Sequence, residues 1–158
     1  MIRPATAEDA LAVAHVQIAS WRGAYGHLFG EKELAGITLD ERTAFWQAFP
    51  PIVAVVDDTV AGFVAVGRAG DDDADGELYA IYVRPDRWGT GIGRALMEAG
   101  EDRLRELGHT TAVLWVFEDN PRARRFYETA GWKADGRRKS RAEIFGMAGP
   151  AVRYAKQL

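Results

Sequence analysis

The sequence contains no cysteine, so it has no disulfide bond, no thiolate metal site and no cysteine nucleophile. It has no apolar run approaching eighteen residues, and its first residues, MIRPATAEDA, lack the apolar centre of a signal peptide. It also lacks a marked charge excess, because 20 Lys and Arg face 23 Asp and Glu, for a formal net charge of −3. We therefore expect a cytoplasmic protein that binds neither a membrane nor nucleic acid.

What is present indicates an ordinary globular protein. The 158 residues are 47% hydrophobic and 27% charged, which excludes global disorder and suits one substantial core. The sequence shows no internal repeat, low-complexity tract or linker. We therefore expect a single domain over residues 1–158.

Strand and helix patterns alternate along the chain. Strands are predicted at 1–4, 77–83 and 110–117, with hairpins at 52–67 and 132–158, and helices at 7–21, from 39, at 92–107 and at 120–131. Ala10, Val13, Ala14, Ile18 and Trp21 share one face of the first helix, and Leu96, Leu104 and Leu107 point inward from the third. RRKSR at 137–141 is interpreted as a solvated turn. This order predicts a mixed α/β fold with a mostly antiparallel sheet flanked by helices.

Three glycines at alternate positions precede the third helix, in RPDRWGTGIGRALMEAG at 84–100. Unpaired N–H groups and the positive end of the helix dipole make such a turn suited to an anion. A Walker loop would need Lys where Arg94 stands, and a dinucleotide fingerprint would need Gly or Ala at Arg94 or Leu96. Spacing alone leaves a tight turn without ligand as an equal alternative.

This segment resembles the acyl-CoA signature of the GNAT superfamily of N-acetyltransferases, which reads Gln or Arg, two residues, Gly, one residue, then Gly or Ala. Gly91 and Gly93 match the two glycines, whereas Trp88 departs from the Gln or Arg position. A second block, NPRARRFYETAGW, resembles the family's downstream pattern. Its matching residues are Asn120, Ala123, Tyr127, Gly131 and Trp132. The two blocks stand in the order and spacing of the family.

The resemblance implies acetyl-CoA as a co-substrate, no metal, and a sheet whose strands 77–83 and 111–117 splay apart at the acyl-CoA site. It implies that backbone groups pair with the pantetheine arm and that the glycine turn cradles the pyrophosphate. The expected cofactor-binding residues are Ile81, Tyr82, Val83, Trp88, Gly89, Thr90, Gly91, Ile92, Gly93, Arg94, Asn120 and Ala123. Arg87, Arg94 and Arg124 are candidates for phosphate charge, with ordinary solvated arginines as the alternative.

The resemblance also assigns catalytic roles. Tyr127 stands at the position of the family's general acid, which protonates the departing thiolate. Glu77 stands six residues before Val83, like the general base of the histone-acetylating branch, and a water relay or another residue is the alternative. Without cysteine, we expect direct transfer of the acetyl group to a primary amine in a ternary complex.

The acceptor is less constrained. The resemblance places it near WRGAYGHLFGEKE at 21–33 and the stretch 139–149. Trp21, Tyr25, His27 and Phe29 would form an aromatic wall suited to an aromatic or cationic small molecule, or Trp21 packs in the core. A protein or peptide N-acetyltransferase and a non-catalytic acyl-CoA-binding regulatory module stay open, as does a homodimer.

Two other patterns carry no site. Asp71, Asp73, Asp75 and Gly76 imitate the start of a calcium loop, but its twelfth position is Tyr82 rather than Glu. The three histidines are dispersed, without metal or triad spacing.

Overall fold

The computed structural model describes residues 1–26 and 37–158. Its strands are β1 (Ile2–Pro4), β2 (Ile52–Val56), β3 (Thr59–Arg68), β4 (Gly76–Val83), β5 (Thr111–Phe117), β6 (Lys133–Ile144) and β7 (Met147–Gln157). Its helices are α1 (Ala10–Tyr25), α2 (Leu39–Ala48), α3 (Ile92–Glu106) and α4 (Pro121–Thr129). Short 3₁₀ turns occupy Ala7–Asp9 and Pro85–Arg87. In the described ranges, no helix is long and apolar enough to cross a membrane.

The described strands form one sheet in the order β1-β2-β3-β4-β5-β7-β6. The pairs β1–β2, β2–β3, β5–β7 and β6–β7 are antiparallel, whereas β4 and β5 run parallel. Within the described residues, the β4–β5 ladder comprises only Gly76↔Ala112 and Glu77↔Val113, although both strands continue beyond these pairs. The predicted mixed α/β fold with a mostly antiparallel, splayed sheet is confirmed.

Local sequence explains where these elements begin and end. The Thr38 hydroxyl accepts a hydrogen bond from the Glu41 N–H at 3.2 Å and caps α2, and Pro50 and Pro51 follow the end of that helix. Asp57 and Asp58 join β2 to β3 with φ angles of 51° and 59°, the left-handed conformations of a two-residue hairpin turn.

The chain divides into two compact units. The first comprises Met1–Ala65 and Ala80–Asp102, and the second comprises Val66–Tyr79 and Arg103–Leu158. The division does not test whether residues 1–158 fold as a single domain, so that expectation stays a prediction.

An aromatic cluster fills the core of the first unit. The Trp46 ring lies 4.9 Å from Phe63, and Phe63 lies 5.6 Å from Tyr82, measured between ring centroids. The Trp21 and Tyr82 rings also meet edge-on, with their centroids 6.2 Å apart. Gln17, buried within this core, accepts a hydrogen bond from the Trp46 indole N–H at 2.8 Å. The cluster fixes the side chain of Tyr82, which belongs to the end of β4.

The second unit has its own buried core. Leu104, Leu114, Trp132 and Tyr154 are at most 1% exposed. All seven residues of β5 pair with β7, from Thr111↔Gln157 to Phe117↔Ala151. This ladder sets the cross-strand neighbours discussed below.

Two expectations about individual positions are wrong, that for Leu107 and that for the segment 137–141. Leu107 is 45% exposed rather than inward, because it follows the last residue of α3. The predicted face of α1 is the buried one, with Ile18 partly buried at its margin, and the polar Gln17 and Ser20 of the same helix are buried as well. The segment 137–141 continues β6 rather than forming a turn, since the hairpin reverses at Phe145 and Gly146.

Candidate active site

The glycine turn, residues 88–94, lies between the 3₁₀ turn Pro85–Arg87 and the first residues of α3. Gly89 and Gly91 have φ angles of 76° and 88°, conformations that side-chain-bearing residues rarely adopt. A Cβ atom added at either glycine would have no neighbour within 4 Å, so the space over the turn is open. The Thr90 hydroxyl donates to the Arg87 carbonyl at 2.5 Å, a hydrogen bond that links the glycine turn to the preceding 3₁₀ turn.

The start of α3 supplies hydrogen-bond donors at this turn. The helical ladder begins with the Ala95 N–H donating to the Gly91 carbonyl at 3.1 Å. Helix geometry leaves the preceding N–H groups, those of Ile92, Gly93 and Arg94, without an acceptor inside the helix. Together with the dipole, they form an anion-binding end that no side chain at Gly89 or Gly91 covers.

Trp88 has a role inside the protein that the sequence did not reveal. Its indole N–H donates to the Val83 carbonyl at 2.8 Å, and the Ser20 hydroxyl donates to the same carbonyl at 3.0 Å. Both lone pairs of this oxygen are thereby used. A cofactor amide is therefore not expected to donate to the Val83 carbonyl. The backbone pairing expected between the pantetheine arm and the segment Ile81–Val83 does not include this oxygen. The only sign of this role in the sequence was that Trp88 stands where the family signature has Gln or Arg.

The end of β4 is approached closely by β3. A Cβ atom at Gly62 would lie 2.8 Å from the Tyr82 carbonyl oxygen and 2.9 Å from Leu96 Cδ1. The absence of a side chain at Gly62 therefore lets the end of β4 and Leu96 of α3 lie close to β3. Ile81, Tyr82 and Val83 are themselves partly buried.

The candidate arginines have protein partners. Arg94 is 85% exposed and lies 3.5 Å from Glu98, and Arg87 lies 3.7 Å from Asp57. Arg124 donates to the Tyr154 hydroxyl at 3.1 Å and to the Glu118 carbonyl at 3.1 Å. Exposed pairs such as that of Arg94 contribute about 0–1 kcal/mol, so they do not prevent a rearrangement towards a phosphate.

The downstream block forms the start of α4, in the second unit. The Asn120 side-chain oxygen accepts a hydrogen bond from the Ala123 N–H at 3.2 Å, so Asn120 caps the helix and Pro121 occupies its first turn. Tyr127 is 8% exposed, and its ring centroid lies 5.6 Å from Phe126 and 6.2 Å from Tyr154. The spacing of the block therefore has a local structural reason in addition to the expected cofactor contact.

Glu77 lies at the start of β4 and is partly buried. Burial raises the pKa of its carboxyl above the usual value, while the Gly70 N–H, which donates to Oε1 at 3.0 Å, opposes this effect. Asp71 raises the Glu77 pKa further, and the cations Lys139 and Arg153 lower it. A carboxylate with a raised pKa is a stronger base than an exposed one, as a proton acceptor requires.

A cavity of about 270 Å³ opens beside Glu77, entirely within the second unit. Six of its lining residues are Glu77, Tyr79, Trp115, Lys139, Glu143 and Phe145. The Lys139 ammonium lies over the Trp115 ring, 4.2 Å from its centroid. Lys139 and Glu143 fall in the predicted acceptor stretch, whereas Trp115 was predicted only as part of a strand.

Two carboxylates of the acidic loop before β4 are bound by Arg153. Arg153, 5% exposed, donates to both oxygens of Asp73 at 2.7 and 2.8 Å, to Asp71 at 3.2 Å and to Asp135 at 2.7 Å. Asp71 also accepts a hydrogen bond from the Trp115 indole N–H at 2.9 Å. Trp115 and Arg153 are direct cross-strand partners, so the loop is tied to both. In the described part of the chain, no His, Asp or Glu side chains are grouped to hold a metal ion.

The proposed aromatic wall is covered only in part by the described residues. Trp21 and Tyr25 are buried, at 1% and 6% exposure, and Trp21 packs on Tyr82. The alternative of core packing therefore holds for Trp21. His27 and Phe29 lie outside the described residues.

Comparisons with known proteins show which family this chain resembles. The family model described as "Acetyltransferase (GNAT) family" matches residues 12–132. The N-acetyltransferase YuaI of Bacillus subtilis (strain 168) is 32% identical over 126 residues, which cover 76% of this chain and 73% of that protein. Mycothiol acetyltransferase of Actinosynnema mirum is 32% identical over 136 residues, which cover 84% of this chain but only 44% of that longer protein.

A solved structure shares the fold. The PaiA N-acetyltransferase of Thermoplasma acidophilum, in complex with coenzyme A, aligns with a TM-score of 0.78 and 19% identity, over 100% of this chain and 98% of that one.

Proposed function

Because this chain belongs to the GNAT family of acetyltransferases, we propose that it transfers the acetyl group of acetyl-CoA directly to a primary amine of a small molecule. The observation that carries the proposal is the glycine turn. Two left-handed glycines leave the donor-rich start of α3 uncovered, which fits a pyrophosphate. The coenzyme A bound to the Thermoplasma acidophilum neighbour supports the choice of ligand.

The proposed cofactor contacts divide by chemistry. Backbone N–H groups of residues 89–94 bind the pyrophosphate, whereas the Trp88 N–H donates to the Pro85 carbonyl at 3.3 Å, so Trp88 can depart from the family residue without loss of these donors. Backbone groups at Ile81–Val83 pair with the pantetheine arm, apart from the occupied Val83 carbonyl. Asn120 and Ala123 contact the pantetheine region from the start of α4.

The proposed reaction uses one base and one acid. An alkylammonium, with a pKa of about 10, must lose a proton before its nitrogen can attack the acetyl carbonyl. Glu77 accepts that proton, directly or through a water. A backbone N–H at Ile81–Val83 stabilises the oxyanion. As the C–N bond forms and the C–S bond breaks, Tyr127 donates its proton to the leaving thiolate, and the second proton lost by the nitrogen returns the tyrosinate to the phenol through solvent.

Gly91→Val, compared with Gly108→Val, tests the glycine turn. Gly91 and Gly108 have the same φ of 88°, no atom within 4 Å of an added Cβ, and positions at opposite ends of α3. The two valines therefore impose similar backbone strain, but only the one at Gly91 occupies the proposed phosphate space. Titration calorimetry should show that Gly91→Val loses coenzyme A binding while Gly108→Val retains it.

If the valine variants fail to fold, the same comparison of coenzyme A binding is made with Gly91→Ala and Gly108→Ala, which add a smaller side chain at each position. Equal affinity of wild type and a folded Gly91 variant would contradict the phosphate site. A thiol-release assay with acetyl-CoA and a panel of amines and peptides then tests transfer. Binding of acetyl-CoA without acetylation of any compound would favour the regulatory module instead.

A further inference from the structure

We infer that the acceptor of this reaction is an alkyl primary ammonium that binds on the indole face of Trp115, and that Lys139 occupies this place until the acceptor displaces it. The inference rests on the proposed acetyl transfer, because it identifies the acceptor of that reaction. It concerns the cavity lined by Glu77, Tyr79, Trp115, Lys139, Glu143 and Phe145, named here the Trp115 pocket.

The pocket already holds an alkylammonium, that of Lys139, 4.2 Å from the Trp115 ring centroid. Trp is the best aromatic side chain for binding a cation, since its ring face carries the most negative quadrupole. The indole is held in place at its edge, where its N–H donates to Asp71 at 2.9 Å. The ring face is therefore oriented by a contact that does not involve Lys139.

The charges around the indole favour a cation. Two carboxylates, Glu77 and Glu143, line the pocket, and of the described residues that line it Lys139 alone is positively charged. Displacing the Lys139 ammonium leaves an aromatic face with two carboxylates beside it. The nearby Arg153 does not cancel this charge, because its guanidinium is bound by Asp71, Asp73 and Asp135.

An incoming ammonium can displace the Lys139 side chain from the indole, because Lys139 belongs to an exposed part of β6. The β6–β7 register shifts between Lys139 and Ala142, so the strand is irregular at this position. A cation–π contact at an exposed position changes an equilibrium by about two- to fivefold, which an incoming ammonium can match.

The proposed base stands in the same pocket. A cation on Trp115 therefore lies in a cavity with Glu77, the group proposed to remove its proton. The cavity, at about 270 Å³, is near the lower end of ligand pockets, which span about 300–1,000 Å³. This size suits a small alkylamine or a single lysine side chain of a peptide, which share the same chemistry.

Binding of n-pentylamine to Lys139→Ala tests the inference without any acetyl transfer. NMR titration should show about two- to fivefold tighter binding to this variant than to the wild type, because the internal competitor is gone. Lys133→Ala is the matched control, since it removes the same charge from an exposed position of the same strand that does not line the pocket. It should bind as the wild type does.

Two further measurements test whether binding requires the positive charge of the ligand and the indole ring of Trp115. Neutral N-pentylacetamide, which has the same chain, should bind more weakly than n-pentylamine. Its affinity should not rise in Lys139→Ala. Trp115→Phe keeps an aromatic ring, and Trp115→Leu removes it; both should weaken n-pentylamine binding, the leucine variant more, with unchanged affinity for acetyl-CoA. Weaker amine binding in Lys139→Ala, or no change in either set, would overturn the inference.

Comparing acetylation of n-pentylamine with that of a lysine-containing tripeptide distinguishes the two sources of the ammonium. If neither is acetylated but the binding pattern is as expected, the cation site stands and the acetyl transfer fails. If amines are acetylated but the affinity for n-pentylamine does not change in the Lys139 and Trp115 variants, the acetyl transfer stands and the cation site is wrong.

Discussion

Replacing Arg153 by methionine removes the cation from a cluster of three carboxylates. The Arg153 side chain is 6% exposed, whereas those of Asp71, Asp73 and Asp135 are 25%, 39% and 23% exposed. Methionine keeps most of the apolar length of the side chain, so the change chiefly deletes the guanidinium and its charge-assisted hydrogen bonds.

The size of the effect follows from this burial. Removing one partner of a fully buried ion pair costs about 3–5 kcal/mol, because the other charge is left without compensation. The three aspartates can regain water, so we expect a smaller loss, about 2–3 kcal/mol of the free energy of unfolding at neutral pH. Urea denaturation measures this loss from the midpoint and the slope.

Arg137→Met is a matched control on the same carboxylate. Arg137 donates to Asp73 at 2.9 Å, but its side chain is 58% exposed. An exposed pair contributes about 0–1 kcal/mol, so this variant should lose much less stability. Equal losses in the two variants, or a loss below about 1 kcal/mol for Arg153→Met, would refute the argument from burial.

The loss should also depend on pH. The hydrogen bonds from Arg153 are the main cause that lowers the pKa of Asp73 to about 2. A carboxyl with a lowered pKa stabilises the fold above its unfolded pKa, near 3.8, and this contribution disappears as the pH falls through about 2. The difference between wild type and Arg153→Met should therefore shrink between pH 4 and pH 2. A constant difference would contradict the assignment.

Three other variants test separate parts of the site. Glu77→Gln should lower kcat/KM near neutral pH by about 10²–10⁴-fold, with partial recovery in alkali, where the free amine supplies itself. Because burial raises the Glu77 pKa, the wild-type limb should lie above the usual carboxyl range; equal neutral activity would move the base elsewhere. Tyr127→Phe should lower kcat by about 10²–10⁴-fold with unchanged affinity for acetyl-CoA, and an unaltered rate of the chemical step would leave Tyr127 as a packing residue. Gly62→Ala should lose about 1–3 kcal/mol in urea denaturation, since its Cβ would lie 2.8 Å from the Tyr82 carbonyl; full stability would show that β4 can shift.

Features that depend on neighbours in sequence could be predicted. The hairpin at Asp57 and Asp58, the end of α2 before two prolines and the glycine turn before α3 each have their cause within a few residues. The end of α3 shows the limit of this approach, because helical periodicity continues to Leu107 although the helix does not.

Features that depend on distant pairing could not be predicted. Arg153 meets Asp71 and Asp73 from about eighty residues away, and no local pattern links them. Arg137–Arg141 looks like a turn by charge, yet pairing with β7 extends the strand through it. In the same way, the side chains of the Trp115 pocket come from β4, β5 and the β6–β7 hairpin, so Trp115 gave no signal of its own.

The hydrogen bond from Trp88 to Val83 has a consequence for how this chain can change during evolution or in a mutant library. A Cβ atom at Gly23 would lie 3.3 Å from Trp88 Cη2 and 3.4 Å from Pro85 Cγ, so α1 is shaped to the indole. Trp88→Arg, which restores the family residue, would by itself remove a donor from the Val83 carbonyl and leave a gap beside Gly23. Gly23→Ala by itself would crowd the indole, and Trp88→Arg removes that contact, although the added methyl does not restore the hydrogen bond to the Val83 carbonyl. Positions 23 and 88 are therefore expected to be coupled, and a library that samples them one at a time would miss how Gly23→Ala is tolerated once the indole is absent.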